Sequence, residues 1–188
     1  MVLALALLAT TLVLPLWSTR MEAAQYKGDE ALEVRVHAGR VAGDIHEIDL
    51  LNQYVGVHLE LDTPELRASP WVLGSFAILV AAALVLPPAR RAQAALGIAI
   101  LMAAAALGGG AVLQYRLYQM GHDRSPSIMT RVPDFTPPIL GSAKIANFTA
   151  TMSLGAGGWA YFGALLLVGW AARRPQAARQ DDQPTPSG

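Results

Sequence analysis

Cysteine is absent from this chain of 188 residues. Its absence excludes disulfides, thiolate zinc sites, iron–sulfur clusters, covalent c-type haem attachment and cysteine nucleophiles. Charge is also scarce, because charged residues make up 15% of the chain against about 25% in ordinary soluble domains. The net charge is zero, which indicates no nucleic-acid partner. Any metal ion would have to be held by His, Met, carboxylate or carbonyl groups.

The charge-free stretches are concentrated in four apolar runs, each close to the length of a bilayer span. The runs are Val2–Leu16, Trp71–Leu86, Ala94–Leu113 and Leu154–Ala172. Backbone groups in lipid must be satisfied within the segment, so each run is expected to be helical. No Lys or Arg precedes the first run, which favours an uncleaved anchor over the alternative of a signal peptide. The sequence therefore predicts an all-α membrane protein, a four-helix transmembrane bundle with two extracytoplasmic loops.

Short basic segments set the orientation of these runs. Arg90 and Arg91 lie between the second and third runs, and Arg173, Arg174 and Arg179 follow the fourth. The positive-inside rule then predicts a bacterial inner-membrane protein with both termini in the cytoplasm. The predicted spans are residues 1–17, 71–88, 94–115 and 154–172; the predicted outer loops are 18–70 and 116–153, with a cytoplasmic connection at 89–93 and a disordered tail at 173–188.

Three further features of the sequence bear on these predicted spans. Tryptophans at the span ends agree with interfacial anchoring; they are Trp17, Trp71, Trp159 and Trp170. No Asp, Glu, Lys, Arg or His lies inside a span, which disfavours a pump or secondary transporter. The third span carries small residues at four-residue spacing, such as Ala104 and Gly108. They indicate close packing of helices, either within the chain or against another membrane subunit.

The first outer loop carries signals of secondary structure. Residues 31–39 alternate apolar and polar side chains, which predicts a half-buried strand. Residues 41–48 are expected to return as a second strand, forming a small β-hairpin. Ile48, Leu51 and Val55 then follow at helical spacing. Most of the acidic residues of the chain lie in this loop; they serve either solubility or the attraction of a cationic partner or metal ion.

A copper contact is one prediction for the outer loops. All four histidines lie in these loops: His37, His46, His58 and His122. Met120, His122 and Asp123 are close in sequence, and thioethers with imidazole suit copper(I). The predicted metal residues are therefore His122, Met120, Asp123 and His58. The alternative is that His122 and Asp123 only cap the third helix after Gly121, a common helix-stop position.

A series of short motifs occurs in a familiar order. They are "LNQYVG" at 51–56, "GHD" at 121–123, "FTPPILG" at 135–141 and "KIANF" at 144–148. In this order the chain resembles a family of small four-span bacterial membrane proteins. The resemblance implies an association with genes that mature nitrous oxide reductase, and hence a periplasmic role in copper-enzyme assembly. The chain departs from the family at Gln53 and Val57, where members tend to carry His and Met.

The leading functional interpretation is a non-enzymatic membrane accessory protein that binds a membrane or periplasmic protein. The two outer loops are expected to pack together, residues 118–148 against 43–58, and to form the contact surface. The predicted partner-binding residues are Asn52, Tyr54, Gly56, Pro137, Pro138 and Asn147. One alternative is a small structural subunit of a respiratory complex, which would carry no b-type haem because no histidine lies in a span. Another is a membrane enzyme, although the sequence has no Ser-His-Asp order, paired-carboxylate motif or phosphate loop.

Overall fold

A computed structural model describes residues 1–23, 26, 28–55, 62–122, 134–145 and 147–180. Five helices and five strands make up this part of the chain. They are α1 (Val2–Thr11), β1 (Trp17–Glu22), β2 (Leu32–His37), β3 (Arg40–Gly43), α2 (Ile45–Val55), α3 (Pro64–Leu84), α4 (Pro88–His122), β4 (Gly141–Ile145), β5 (Phe148–Leu154) and α5 (Ala156–Gln180), with a short 3-10 turn at Gly28–Glu30.

The predicted all-α four-helix transmembrane bundle is wrong. The chain forms a five-stranded antiparallel sheet in the order β3-β2-β1-β5-β4, so the fold mixes helices with a sheet. Two of its described helices, Pro64–Leu84 and the Arg90–His122 part of α4, are long and apolar enough to cross a membrane. The first apolar run gives only the ten-residue helix α1, about 15 Å long. A bilayer core is about 30 Å thick.

The β-hairpin predicted in the first outer segment is present, but its second strand is shorter than the predicted 41–48: β3 ends at Gly43, and residues 45–48 belong to α2. β2 and β3 pair in antiparallel register through His37↔Arg40 and Val36↔Val41. Gly39 lies in the connecting turn with φ of 78°, a conformation that glycine adopts without steric cost. Leu32 and Val34 are buried as the alternation predicted. Ile48 of α2 packs against these two strand residues, so the helical spacing was also interpreted correctly.

The two segments predicted as separate loops join through a strand that the sequence did not reveal. β1 is the centre of the sheet: it pairs with β2 on one side and β5 on the other. The span predicted at residues 1–17 therefore ends early, and Trp17 begins a strand instead of marking a membrane interface. β5 likewise occupies residues that precede the fourth apolar run. α5 continues to Gln180, beyond the predicted end of that span at residue 172.

Four helices pack beside one another below the sheet. α5 contacts α4 and α1, and α3 contacts α1 and α4. The core of this packing contains the fully buried side chains of Leu8, Val80, Met102 and Val168. Inside it the Tyr161 hydroxyl donates a 2.8 Å hydrogen bond to the Met102 carbonyl oxygen. A buried phenol needs such a partner, so this bond fixes α5 against α4.

The helices and the sheet are joined where two chain segments cross in close contact. The Gly157 amide donates to the Pro15 carbonyl oxygen at 2.8 Å, and the Gly155 amide donates to the Leu16 carbonyl oxygen at 3.0 Å. A Cβ atom on Gly157 would lie 2.6 Å from the Leu14 carbonyl oxygen. Only glycine lets the backbones approach this closely, so this crossing determines how β1 and β5 leave the helices.

Gly157→Ala is expected to destabilise the protein by about 1–3 kcal/mol, because the added methyl group overpacks the crossing. Gly169→Ala in the same helix is the matched control, since a Cβ atom there meets nothing within 4 Å. The control should be neutral or stabilising by up to ~1 kcal/mol, as expected for glycine replaced inside a helix. Unfolding in mild detergent, followed by circular dichroism, measures both. Equal melting of the two variants would contradict the close crossing.

Candidate functional site

The sheet has a covered face and an exposed face. On the covered face, Trp17, Ala150 and Met152 pack against Leu117 of α4. Leu113 and Met120 of the same helix add to this cluster; their spacing puts all three α4 residues on one helical face. α2 covers the other half of the sheet through Ile48. The end of α4 is therefore held rigidly beneath the sheet.

The Pro137-Pro138 segment is a clamp between the sheet and α4. The Trp17 Nε1–H group donates a 2.7 Å hydrogen bond to the Ile139 carbonyl oxygen. The Gln114 side-chain amide donates to the Pro137 carbonyl oxygen at 3.2 Å. Pro137 is fully buried and Pro138 is half-buried. Pro137 is therefore positioned to support the site and offers no surface to a partner.

The same segment lies close against the end of α4. A Cβ atom on Gly121 would lie 1.8 Å from the Phe135 carbonyl oxygen, so this glycine is required for the contact.

An ion pair also joins two helices at this end of the molecule. Arg116 of α4 donates two hydrogen bonds, of 3.0 and 3.1 Å, to the Glu65 carboxylate at the start of α3. Both bonds come from one guanidinium nitrogen, Nη2, and they join α4 to the start of α3.

His122 and Met120 do not converge on one point. The His122 Nδ1–H group donates to the Tyr118 carbonyl oxygen at 2.9 Å, and its ring stacks on that of Tyr118 with centroids 4.0 Å apart. Met120 instead packs into the cluster beneath the sheet. The hydrogen bond at Nδ1 leaves Nε2 as the nitrogen available to a metal. Among the described residues no group of three His, Cys, Asp or Glu side chains converges.

The remaining predicted residues lie either in α2 and the β4–β5 turn or outside the described residues. Asn52 and Tyr54 lie in α2, which contacts β2. Asn147 lies exposed in the turn between β4 and β5. Asp123, Gly56 and His58 lie outside the described residues. The two outer segments do touch at Tyr26 and Phe148, whose rings stack with centroids 6.4 Å apart, but Tyr26 lies outside residues 43–58, the part predicted to form the contact.

The exposed face of the sheet carries a patch that the sequence analysis missed. We call it the hydroxyl face; it consists of Ser18, Ser142, Thr149, Thr151 and Ser153. Its members pair across strands: the hydroxyl oxygens of Ser18 and Ser153 are 3.1 Å apart, and those of Ser142 and Thr151 are 3.2 Å apart. The alternation in "FTATMSL" at 148–154 is the sequence signal for this strand. The apolar run that begins at Leu154 obscured this alternation.

Charged side chains border the hydroxyl face. Arg20 stands opposite Thr151 in the register and pairs with Glu22 at 3.1 Å. Arg35 stands opposite Ser18 and donates to Glu33 with Nε at 2.8 Å. The Arg35 guanidinium holds the pKa of the Glu33 carboxyl below its usual value. Glu33 therefore stays charged at neutral pH, and the patch can bind a polar surface by hydrogen bonds and ion pairs.

Trp17→Phe is expected to destabilise the protein by about 1–3 kcal/mol, because the half-buried Ile139 carbonyl loses its donor. Trp17 is 8% exposed, whereas Trp71 is 80% exposed. Trp71→Phe is therefore the matched control, and it should stay within about 0.5 kcal/mol of the parent protein. Thermal unfolding in detergent compares the two. A neutral Trp17→Phe would contradict the clamp.

Comparison with known proteins assigns no family and no function to this chain. No family model matches the chain, and no curated protein matches it. The resemblance stated from the motifs at 51–56, 121–123, 135–141 and 144–148 is neither supported nor opposed by these comparisons. It stays a prediction that rests on those residues.

Proposed function

We propose that the chain is an integral membrane accessory protein that binds a partner protein outside the membrane through the hydroxyl face. The observation that carries this proposal is the asymmetry of the sheet. One face is buried against α2 and α4, whereas Ser142, Thr149, Thr151 and Ser153 on the other face are exposed. Exposed hydroxyl groups between ion pairs can donate and accept hydrogen bonds with a polar partner surface.

Insertion in the membrane is supported by the surfaces of α3 and α4. The apolar windows of these two helices are only 22% and 11% buried inside the chain. The core helix of a soluble protein would be mostly buried, so these faces suit lipid. α4 has 35 residues, about 52 Å in length, and therefore exceeds the roughly 30 Å of a bilayer core. Its final turns extend beyond the lipid and hold the sheet.

The orientation follows from the arginines at the opposite end of the helices. The short connection between α3 and α4 places Arg90 and Arg91 at the end away from the sheet. With these residues in the cytoplasm, the sheet lies outside a bacterial inner membrane. Met1 and Ala171 line one cavity with Leu84 and Arg91. This proximity supports a cytoplasmic position for both ends of the chain.

The motif resemblance implies a role in copper-enzyme maturation. We include this role in the proposal, in the form of binding an assembly partner. His122 offers one free ring nitrogen, and Met120 lies in the cluster beneath the sheet. A single imidazole suits a weak or shared metal contact, whereas a resident copper site needs several ligands. The expected contribution to maturation is therefore to hold an assembly partner at the membrane surface.

Single-cysteine labelling tests the orientation. The chain contains no cysteine, so each introduced thiol is unique. Thr151→Cys should react with a membrane-impermeant maleimide in intact spheroplasts, because it lies on the exposed sheet face. Gln93→Cys, exposed near the start of α4, should react only after the membrane is permeabilised. Labelling of Gln93→Cys in intact spheroplasts would reverse the orientation.

Site-specific photocrosslinking in cells tests the partner surface. A photoreactive amino acid at Ser153 should give one discrete protein adduct, because this side chain lies on the hydroxyl face. The matched control is the same probe at Leu50 of α2, which is 48% exposed on the same side of the membrane; it should give no such adduct. Adding Thr151→Glu to the Ser153 probe should abolish the adduct at unchanged protein level. Equal adducts from Ser153 and Leu50 would refute the proposed surface.

A further inference from the structure

A cavity of about 270 Å³ lies at the end of the molecule opposite the sheet. Four helices contribute to its walls: Met1 and Val2 of the α1 segment, Leu84 of α3, Pro88, Arg91 and Ala92 of α4, and Ala171 of α5. Arg91 is the single charged side chain among these lining residues. The cavity is therefore lined by apolar side chains and one guanidinium group.

The guanidinium of Arg91 is only partly satisfied by the described chain. One terminal nitrogen, Nη2, donates to the Leu84 and Leu86 carbonyl oxygens at 2.8 and 2.9 Å. These are carbonyls at the end of α3, which lack partners within the helix. The Nε atom is buried and has no hydrogen-bond partner among the described residues. A buried donor without an acceptor is costly, most of all when it is charged.

Among the described residues, the helices around the cavity carry no carboxylate near Arg91 to offset its positive charge. The sequence has no Asp or Glu between Glu65 and Asp123, and none from Gly155 to Gln180. The helices that form the cavity therefore bring no carboxylate to Arg91. Arg90 and Arg173 are exposed near the same end of the helices and add positive charge. An anion from outside the chain would offset the positive charge that the described residues leave around the Arg91 guanidinium.

We infer that this cavity binds an anionic phospholipid, with its phosphate on Arg91 and its glycerol and first acyl carbons against Leu84, Ala92 and Ala171. The shared chemistry of the recognised group is a phosphate oxygen, which a free phosphate ion also offers. The apolar wall favours the lipid, because a free ion would leave this wall hydrated. The membrane placement rests on the proposed function. At that placement the cavity lies at the cytoplasmic headgroup layer, where basic pockets between helices bind anionic lipids.

The test is lipid retention by the purified full chain, read by native mass spectrometry. The protein is equilibrated with phosphatidylcholine vesicles with or without phosphatidylglycerol and then transferred to detergent. The parent protein should retain phosphatidylglycerol in preference to phosphatidylcholine. Arg91→Gln should lower this retention by on the order of tenfold, the loss expected for one charge-assisted phosphate contact. Arg90→Gln removes the same charge one residue away and should retain the lipid.

Arg91 also caps the end of α3, so a second variant separates binding from folding. Ala171→Leu fills the apolar wall and leaves the guanidinium in place; it should lose the retained lipid and keep the parent melting temperature. Retention of phosphatidylglycerol at the parent level by both Arg91→Gln and Ala171→Leu would overturn the inference. Equal losses for Arg90→Gln and Arg91→Gln would also overturn it, because they would indicate general surface attraction.

A competition experiment distinguishes a lipid phosphate from a free phosphate ion. Inorganic phosphate at equal concentration should neither displace the retained lipid nor raise the melting temperature as phosphatidylglycerol does. If it does both, the site recognises a free anion and the lipid assignment is wrong. Lipid retention is independent of the photocrosslinking result at Ser153. A failure of the cavity and a failure of the partner surface are therefore separate outcomes.

Discussion

The structure depends on the crossing at which the backbone of residues 14–16 touches the start of α5. Hydrogen bonds from the Gly155 and Gly157 amides reach across it, and glycine is needed on one side because carbonyl oxygens occupy the space of a side chain. β1 begins immediately beyond the crossing, where Trp17 pairs with Leu154. The central strand pair of the sheet is therefore a direct continuation of the helices, and no flexible linker separates the two parts.

The sequence revealed the parts of the fold that carry a clean period. β2 alternates apolar and polar residues, and α2 places Ile48 inward at helical spacing, so both were predictable. β1 and β5 were missed because each adjoins an apolar run. Trp17 follows the apolar run Val2–Leu16 and resembles an interface anchor, while Met152 and Leu154 merge with the run that becomes α5. Hydrophobicity alone does not distinguish a buried strand from the end of a span.

The candidate site was predictable in outline only. The Pro137-Pro138 segment was correctly interpreted as ordered, but its order comes from burial: Trp17 and Gln114 hold its carbonyl oxygens from two distant parts of the chain. Such long-range bonds have no local sequence pattern. The hydroxyl face was missed for a similar reason, because Ser18 and Ser153 become neighbours only through the pairing of β1 with β5.

The length of α4 has a mechanical consequence. Because its last turns are fixed under the sheet by Leu113, Leu117 and Met120, the sheet cannot tilt without the helix. A helix longer than the bilayer adjusts to membrane thickness by tilting. With α4 placed across a membrane as we propose, a thicker or thinner membrane would change the angle of α4 and, with it, the height and slope at which the sheet stands above the lipid surface.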